Sequence, residues 1–353
     1  MKIRVLIILV ALLCVPFTSE ARKKSKKKDA KVEEKTESKY EKLFKGKQCT
    51  TVKGMITLHK MDQKVYMEFP LSLMEREMLL GATVSEISDN SNALVGQKNN
   101  PLVHIKFSLA DSTVQMKEVS NERKTQMILD TKDPNVKAAM AKGNFAPVMD
   151  AYKIEAYSPD STAVVFEMTD FLVSDNKRLD PFDPNGKKTM YGACARRASF
   201  KKNLSYVDQL KSFEDNMSIT SCLSYTQDLL YMGIVMIAYQ EPVRIKVNRS
   251  FVLLPEEPVM HARMADSRIG YFTSSKEKLT RYTDEVQILT YANKWDIRPK
   301  DVEAYKRGEL VEPVKPIVFY VDDAFPASWL PYIRQGVLTW NEAFERIGFK
   351  NVM

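Results

Sequence analysis

The stretch from Lys315 to Phe349 constrains this chain more than any other, because it joins an apolar run to a long amphipathic pattern. The run Ile317–Val321 is apolar throughout and ends at two aspartates, which predicts a short buried strand. Pro326 suits the first turn of a helix, where its missing N–H is not needed. The apolar residues that follow recur at steps of three and four and form one stripe: Trp329, Ile333, Val337, Trp340, Phe344 and Ile347. Gly348 then occupies the position of a left-handed C-cap.

This apolar stripe contains two tryptophans and a phenylalanine, and it is stable only when other residues cover it. Only four residues follow Phe349 in the sequence. We therefore interpret residues 315–349 as the opening strand and helix of a domain whose remainder is absent from the sequence.

The net charge of +8 is concentrated at the N-terminus. Residues 1–28 contain eight of the cations and one anion, Glu20, which leaves 45 basic and 44 acidic residues in 29–353. A nucleic-acid-binding protein would need a basic face on a folded domain. Because the rest of the chain is nearly neutral, we expect no nucleic-acid partner.

The first 21 residues have the pattern of a secretory signal peptide. Lys2 and Arg4 precede the apolar segment Val5–Val15, and small residues precede the cleavage site that we predict between Ala21 and Arg22. The apolar segment is too short to span a bilayer, and no later segment reaches that length. A buried N-terminal strand is the alternative. We expect export to the periplasm, the outer envelope or the extracellular space, with no transmembrane span in the mature chain.

The cysteines are sparse and do not form a disulfide framework. Cys14 lies in the signal region and leaves a lipoprotein as a minor alternative. Cleavage would leave Cys49, Cys194 and Cys222. One bond between Cys194 and Cys222 could form in an oxidising compartment, but buried free thiols are the favoured interpretation.

The mature chain divides into four segments by composition. Residues 22–39 are charged and lack apolar periodicity, which predicts a disordered basic linker; its lysines could attract an anionic surface or only be solvated. We predict an N-terminal β-rich region at 40–98, a β-rich domain with short helices at 99–290, and a connector with the start of a further domain at 291–353. The predicted fold class is α+β, mainly antiparallel β in the body.

Turn signals place several elements within this body. Hairpins are predicted around Asp62-Gln63, Asp111-Ser112 and Ser158-Pro159-Asp160. Short helices are predicted after Asp133 and at 299–307. A short helix or turn is predicted at 206–213, and three consecutive strands at 219–225, 230–239 and 243–254.

Metal-binding patterns are absent from the sequence. The three histidines, His59, His104 and His261, include no pair at the spacing that places two imidazoles on one helix face. The loop that contains Asp180, Asp183 and Asn185 is rich in oxygen ligands, but Pro181 stands where a calcium loop needs an acid, so a plain turn is favoured. We assign no catalytic residue and no metal ligand.

Several segments resemble those of a known family: Leu253–Pro258, Arg263–Phe272, Pro313–Ile317, Trp340–Phe344 and Gly348–Asn351. Four earlier segments fit the same family less specifically: Asn144–Pro147, Glu155–Tyr157, Thr169–Phe171 and Ser212–Glu214. The chain resembles the large secreted zinc-dependent metalloproteases of the metzincin type that are common in Bacteroidetes. The resemblance covers nearly the whole mature chain and is most specific from about residue 250 onward.

The resemblance implies that residues 315–349 begin an α/β metalloprotease domain. In that family, the HExxH zinc ligands and the general-base glutamate lie downstream of this unit, and this sequence contains no HExxH. Zinc is therefore implied only for the full-length protein, and we expect this chain to be inactive alone. It would act as a prosegment, a chaperone or a targeting module, with its own catalytic domain and a protein or peptide substrate as partners. The alternative is a complete, non-catalytic cell-envelope protein whose strand edges bind a peptide, a glycan or a partner chain.

Overall fold

The computed structural model describes residues 37–120, 127–130, 132–143, 145–179, 187–188, 194–257, 259–280, 284–323 and 325–353. The chain divides into two units, 1–38 and 39–353, and the following concerns the second. The predicted signal peptide, its cleavage site at Ala21 and Arg22, and most of the predicted linker lie outside the described residues.

Most of the described secondary structure is β. The strands are β1 (Thr50–Val52), β2 (Thr57–Met61), β3 (Lys64–Pro70), β4 (Glu77–Ile87), β5 (Val103–Ala110), β6 (Thr113–Ser120), β7 (Met127–Asp130), β8 (Val148–Tyr157), β9 (Ala163–Glu167), β10 (Lys187–Lys188), β11 (Cys194–Phe200), β12 (Tyr206–Ser212), β13 (Asn216–Tyr231), β14 (Val235–Leu253), β15 (Thr273–Thr280) and β16 (Gln287–Ala292). The helices are α1 (Lys39–Phe44), α2 (Pro134–Gly143), α3 (Thr169–Leu172), α4 (Val302–Lys306), α5 (Leu330–Leu338) and α6 (Asn341–Glu345). The fold is therefore α+β and mainly antiparallel, as predicted.

One large antiparallel sheet forms the body. Its strand order is β1-β2-β3-β9-β8-β6-β5-β4-β14-β13-β11-β10, and β12 pairs with β13 beside this path. A second sheet has the order β16-β15-β7, in which β15 and β7 run parallel. The sheet's main core is formed by alternate residues of many strands, among them Leu58, Phe69, Leu80, Phe107, Phe166, Ile219 and Phe251.

The large sheet curls back on itself where β12 meets the turn between β1 and β2. The Met55 N–H donates to the Phe213 carbonyl, and the Ser212 hydroxyl donates to the Ile56 carbonyl at 2.7 Å. A Cβ on Gly54 would lie 2.5 Å from the carbonyl carbon of Ser212. Glycine at this position is therefore what allows the two segments to approach.

The predicted hairpins are confirmed. Asp62 and Gln63, which join β2 to β3, have φ values of 46° and 70°, and Asp111 between β5 and β6 has a φ of 51°. Asn and Asp tolerate this left-handed backbone better than most residues. Asp133 also caps α2 as predicted, because its carboxylate accepts from the Asn135 N–H at 2.8 Å.

Two predictions in the second half of the body are wrong. Residues 206–212 form strand β12, because they pair with Met217–Cys222 of β13. In place of the three strands predicted after residue 218, the structure has two long strands, β13 and β14. They are joined by a tight turn in which Met232 and Gly233 have φ values of 50° and 73°. The apolar sequence around Gly233 concealed this turn.

The C-terminal strand prediction is also wrong. Ile317 donates its N–H to the Val352 carbonyl at 2.7 Å, but within the described residues no strand pairs with 317–321. A strand requires a neighbouring strand for its backbone hydrogen bonds. The side chains Val318–Val321 are exposed instead of buried.

The helix that follows is shorter than predicted and interrupted. Residues 327–329 form a turn, α5 starts at Leu330, and Thr339 and Trp340 separate α5 from α6. The early proline of α5 is Pro331 rather than Pro326. Gly348 has a φ of 92°, which confirms its role as a left-handed terminus.

Candidate functional site

A small core organises residues 291–353, which we call the C-terminal segment. Ala304, Val311, Phe349 and Val352 are buried together, and Ile317 packs against them. Asp301 starts α4, since its carboxylate accepts from the Ala304 N–H at 2.9 Å. This core therefore fixes α4 and the residues after α6 relative to each other.

Most of the apolar stripe predicted from sequence lies outside this small core, although Phe344 of the stripe packs against it. The stripe lines a groove of about 730 Å³, which we call the C-terminal groove and which includes Trp295, Phe319, Ile333, Val337, Trp340 and Ile347. Trp329, Trp340 and Ile347 remain 57%, 62% and 55% exposed. Isolated apolar residues are normal on a surface, but a contiguous apolar patch of this kind indicates an interaction site.

The lining of the C-terminal groove is chemically uniform. The side chains that line it are apolar, and Arg334 lies on the neighbouring groove along α5. Covering the six named groove residues would contribute on the order of 10 kcal/mol by transfer from water. The groove is therefore suited to packing against another apolar surface and offers no nucleophile or acid–base pair.

A polar network lies under α1. His59 is buried, its Nε2 lies 2.9 Å from Glu68 Oε2, and the Tyr40 hydroxyl donates to the same oxygen at 2.8 Å. On the other side of the ring, Nδ1 lies 3.0 Å from Thr51 Oγ1 and 3.9 Å from Cys49 Sγ. Burial and the bond to Glu68 raise the pKa of Tyr40 to about 12.

The arrangement of the histidines does not fit zinc. Glu68 and Cys49 lie on opposite nitrogens of His59, so one metal ion could not reach both together with the ring. His104 Nε2 faces one carboxylate, Glu77, at 2.9 Å, and His261 is exposed. Across the described ranges, no group of three or more His, Cys, Asp and Glu residues is placed to hold a metal ion.

The structure distinguishes between the two predictions for Cys222, a disulfide bond and a free thiol. Cys222 has a free, buried thiol that accepts from Arg244 Nη2 at 3.2 Å, so no bond joins it to Cys194. Cys49 is also free and is half-buried. Asp180, Asp183 and Asn185 lie outside the described residues.

None of the described helices is long and apolar enough to cross a membrane. Residues 96–300 match a family described as Domain of unknown function (DUF5117), and residues 37–87 match one described as Domain of unknown function (DUF5118). No curated protein and no solved structure matches the chain.

Proposed function

The chain belongs to the DUF5117 family, and from this premise we propose that it is the non-catalytic N-terminal region of a secreted zinc-dependent metalloprotease. The catalytic domain of that protease would hydrolyse peptide bonds. This chain would supply the β-rich regions and the first elements of the catalytic domain.

The exposed C-terminal groove carries this proposal. A regular amphipathic stripe along α5 and α6 is stable only against another apolar surface, and within the described residues nothing covers Trp329 or Trp340. The resemblance of Trp340–Phe344 and Gly348–Asn351 to the metalloprotease family supports one class of covering surface. We propose that it is the remainder of a catalytic domain, which would bring its own HExxH ligands.

The proposal assigns different roles to this chain and to that domain. The described histidines do not form a zinc site, so we route no chemical step through residues of this chain. Its contribution would be to hold the catalytic domain, as a prosegment, a chaperone or a targeting module. Export to the envelope or the extracellular space is part of the proposal and rests on the pattern of residues 1–21.

The DNA that follows the Met353 codon tests the proposal most directly. Translation in all three frames is expected to give a His-Glu-x-x-His segment. If no frame encodes such a segment, the proposal fails for this locus. The alternative of a non-catalytic envelope protein that binds a peptide, a glycan or a partner chain would then be preferred.

Fluorescence tests the covering surface itself. All three tryptophans, Trp295, Trp329 and Trp340, belong to the C-terminal segment and are exposed. In a polypeptide extended by the encoded catalytic domain, acrylamide is expected to quench them less than in this chain. Trp340→Phe should remove much of that difference, whereas equal quenching in both proteins would contradict the proposal.

The isolated chain gives a second test. We expect it to bind no stoichiometric zinc and to cleave no casein, while the extended polypeptide does both. Zinc-dependent proteolysis by the purified 353-residue chain would refute the assignment of this chain as non-catalytic.

A further inference from the structure

Three neighbouring strands bring a thiol, a hydroxyl, an imidazole and a carboxylate to one face of the large sheet. Cys49 immediately precedes β1, and Thr51 follows two residues later, so both side chains lie on the same face. Thr51 is paired directly with His59 of β2. His59 is paired with Tyr66 of β3, and Glu68 lies two residues beyond Tyr66 on the same face. The register therefore places the four polar side chains next to one another.

The carboxylate decides which nitrogen of His59 carries the proton. Glu68 Oε2 lies 2.9 Å from His59 Nε2. An ionised carboxylate can only accept hydrogen bonds, so we assign the proton of the neutral ring to Nε2. The Tyr40 hydroxyl donates to the same carboxylate oxygen at 2.8 Å and holds it in place. His59 Nδ1 is therefore the nitrogen with a lone pair, and it is the nitrogen on the side of Cys49.

A path of hydrogen bonds joins this lone pair to the thiol. Thr51 Oγ1 lies 3.0 Å from His59 Nδ1 and 3.5 Å from Cys49 Sγ, and Sγ itself lies 3.9 Å from Nδ1. The Thr51 hydroxyl can donate to Nδ1 while it accepts from the thiol. A nucleophile, a base within reach of it, and a third group that orients the base are the parts of an activated nucleophile. Cys49, His59 and Glu68 have this arrangement.

The surroundings of Cys49 differ from those of the other thiol that the structure describes as free. Cys222 is 2% exposed, and its sulfur accepts from Arg244, which is a hydrogen-bond donor and cannot act as a base. Cys49 is only half-buried, and its neighbour Thr51 is exposed. A molecule from solution can therefore approach Cys49 Sγ, and the partial cover favours a small reactant.

We propose that Cys49 is a modification site whose thiol forms a mixed disulfide with small disulfide molecules. The thiol proton passes through the Thr51 hydroxyl to His59 Nδ1, and the thiolate attacks one sulfur of the small molecule. Its S–S bond breaks, a bond forms between that sulfur and Cys49 Sγ, and the second sulfur leaves as a thiolate that takes the proton from His59. Cys49 is oxidised, and half of the small disulfide is reduced to a thiol.

This modification is stoichiometric and separate from peptide hydrolysis, so the inference does not rest on the proposed protease function. Glutathione disulfide is the probe for a test on the full chain. The chain is first reduced and freed of reductant, and the glutathione adduct at each cysteine is then followed in time by mass spectrometry of its peptides.

The first comparison is between the folded and the urea-unfolded chain. Folded Cys49 is expected to react about ten-fold or more faster than unfolded Cys49, because only the fold places a base beside the thiol. Partial burial without activation would make the folded residue the slower of the two. An equal or slower rate in the folded chain therefore overturns the proposal.

His59→Gln tests the base. The substitution should lower the rate at folded Cys49 by about ten-fold or more, because Gln cannot take the thiol proton. Tyr40→Phe is the control, since it removes a hydroxyl on the far side of Glu68 and should leave the rate unchanged. Circular dichroism establishes that each variant is folded. A folded His59→Gln chain that reacts as fast as the wild type overturns the proposal.

A pair of substitutions at Thr51 keeps the test decisive if His59→Gln does not fold. Thr51 is exposed, so neither change removes core packing. Thr51→Ser keeps the hydroxyl and should react with glutathione disulfide like the wild type. Thr51→Val has a similar size but no hydroxyl, and it should react about ten-fold more slowly because the proton path is interrupted. Equal rates in these two variants would overturn the proposal.

Discussion

Single residues under α1 show how a helix without buried residues is held on the sheet. Two side chains of α1 reach the His59–Glu68 pair: the Tyr40 hydroxyl donates to Glu68, and the centre of the Phe44 ring lies 4.7 Å from that of the His59 ring. The neutral hydroxyl of Tyr40 is the form that donates to Glu68. The contact therefore depends on the protonation of Tyr40.

This dependence predicts a loss of stability at alkaline pH. The pKa of Tyr40 is raised from 10.0 to about 12 in the folded protein, first by burial and then by Glu68. A raised folded-state pKa gives stability that is fully present below pH 10 and is lost as the pH rises through 12. Tyr40→Phe should show a smaller decline over this window in urea denaturation. Equal declines in the two proteins would contradict the prediction.

A buried carboxylate gives a second prediction at this scale. Glu118 is 4% exposed and receives two hydrogen bonds from Arg178, each of 2.7 Å. Arg178→Ala should lower the free energy of unfolding by about 2–3 kcal/mol, because it leaves a buried charge without its partner.

Arg268→Ala is the matched control for this effect. Arg268 binds Asp266 through two nitrogens with similar geometry, but both side chains are exposed. Its removal should cost no more than about 0.5 kcal/mol, since exposed ion pairs contribute little. Chemical denaturation measures both variants, and similar losses would mean that burial does not decide the strength of the Glu118 pair.

At the scale of secondary-structure elements, the curl of the large sheet depends on the contact between β12 and the turn that joins β1 to β2. Gly54→Ala would place a methyl group 2.5 Å from the backbone of Ser212. We expect destabilisation of about 2 kcal/mol, because the backbone must shift to admit it.

Gly143→Ala is the control for Gly54→Ala. No heavy atom lies within 4 Å of a Cβ added at Gly143, which ends α2. This substitution should be neutral or slightly stabilising. Thermal melting of both variants compares them directly, and an unchanged melting temperature for Gly54→Ala would show that the two segments do not need this close approach.

At the scale of the whole molecule, the body and the C-terminal segment have separate cores. The main core belongs to the curled sheet, whereas the small core around Phe349 includes only residues from 297 onward. We expect limited proteolysis to remove residues from about 291 onward and to leave a stable β-rich body, identified by mass spectrometry. Initial cleavage inside the large sheet would contradict this prediction.

Much of the body follows from local sequence patterns. Turn residues such as Asp62 and Asp111 have conformational preferences that act over two to four residues, so the hairpins around them could be predicted. The α2 cap at Asp133 and the left-handed Gly348 are equally local. The same patterns failed at 206–212, because that segment is a strand only through its pairing with β13.

The candidate sites also differ in how much of each could be predicted from the sequence. The amphipathic stripe from Trp329 to Ile347 is visible in the sequence, because helical periodicity depends on spacing alone. Whether the stripe is covered is a tertiary property, and the structure leaves it exposed along the C-terminal groove. The His59–Glu68–Tyr40 network could not be predicted, since it joins residues of three elements that meet only in the fold.

The sequence by itself therefore determined the antiparallel β character of this protein, its local turns and caps, and the apolar face at its C-terminal end. These features depend on side-chain spacing and on backbone preferences within a few residues. Only the tertiary structure decided which strands pair, that within the described residues Ile317–Val321 pairs with no strand, and that a turn at Met232 and Gly233 joins two long strands. Those outcomes depend on contacts between residues far apart in the chain, and the free energy of such contacts is set by the whole fold.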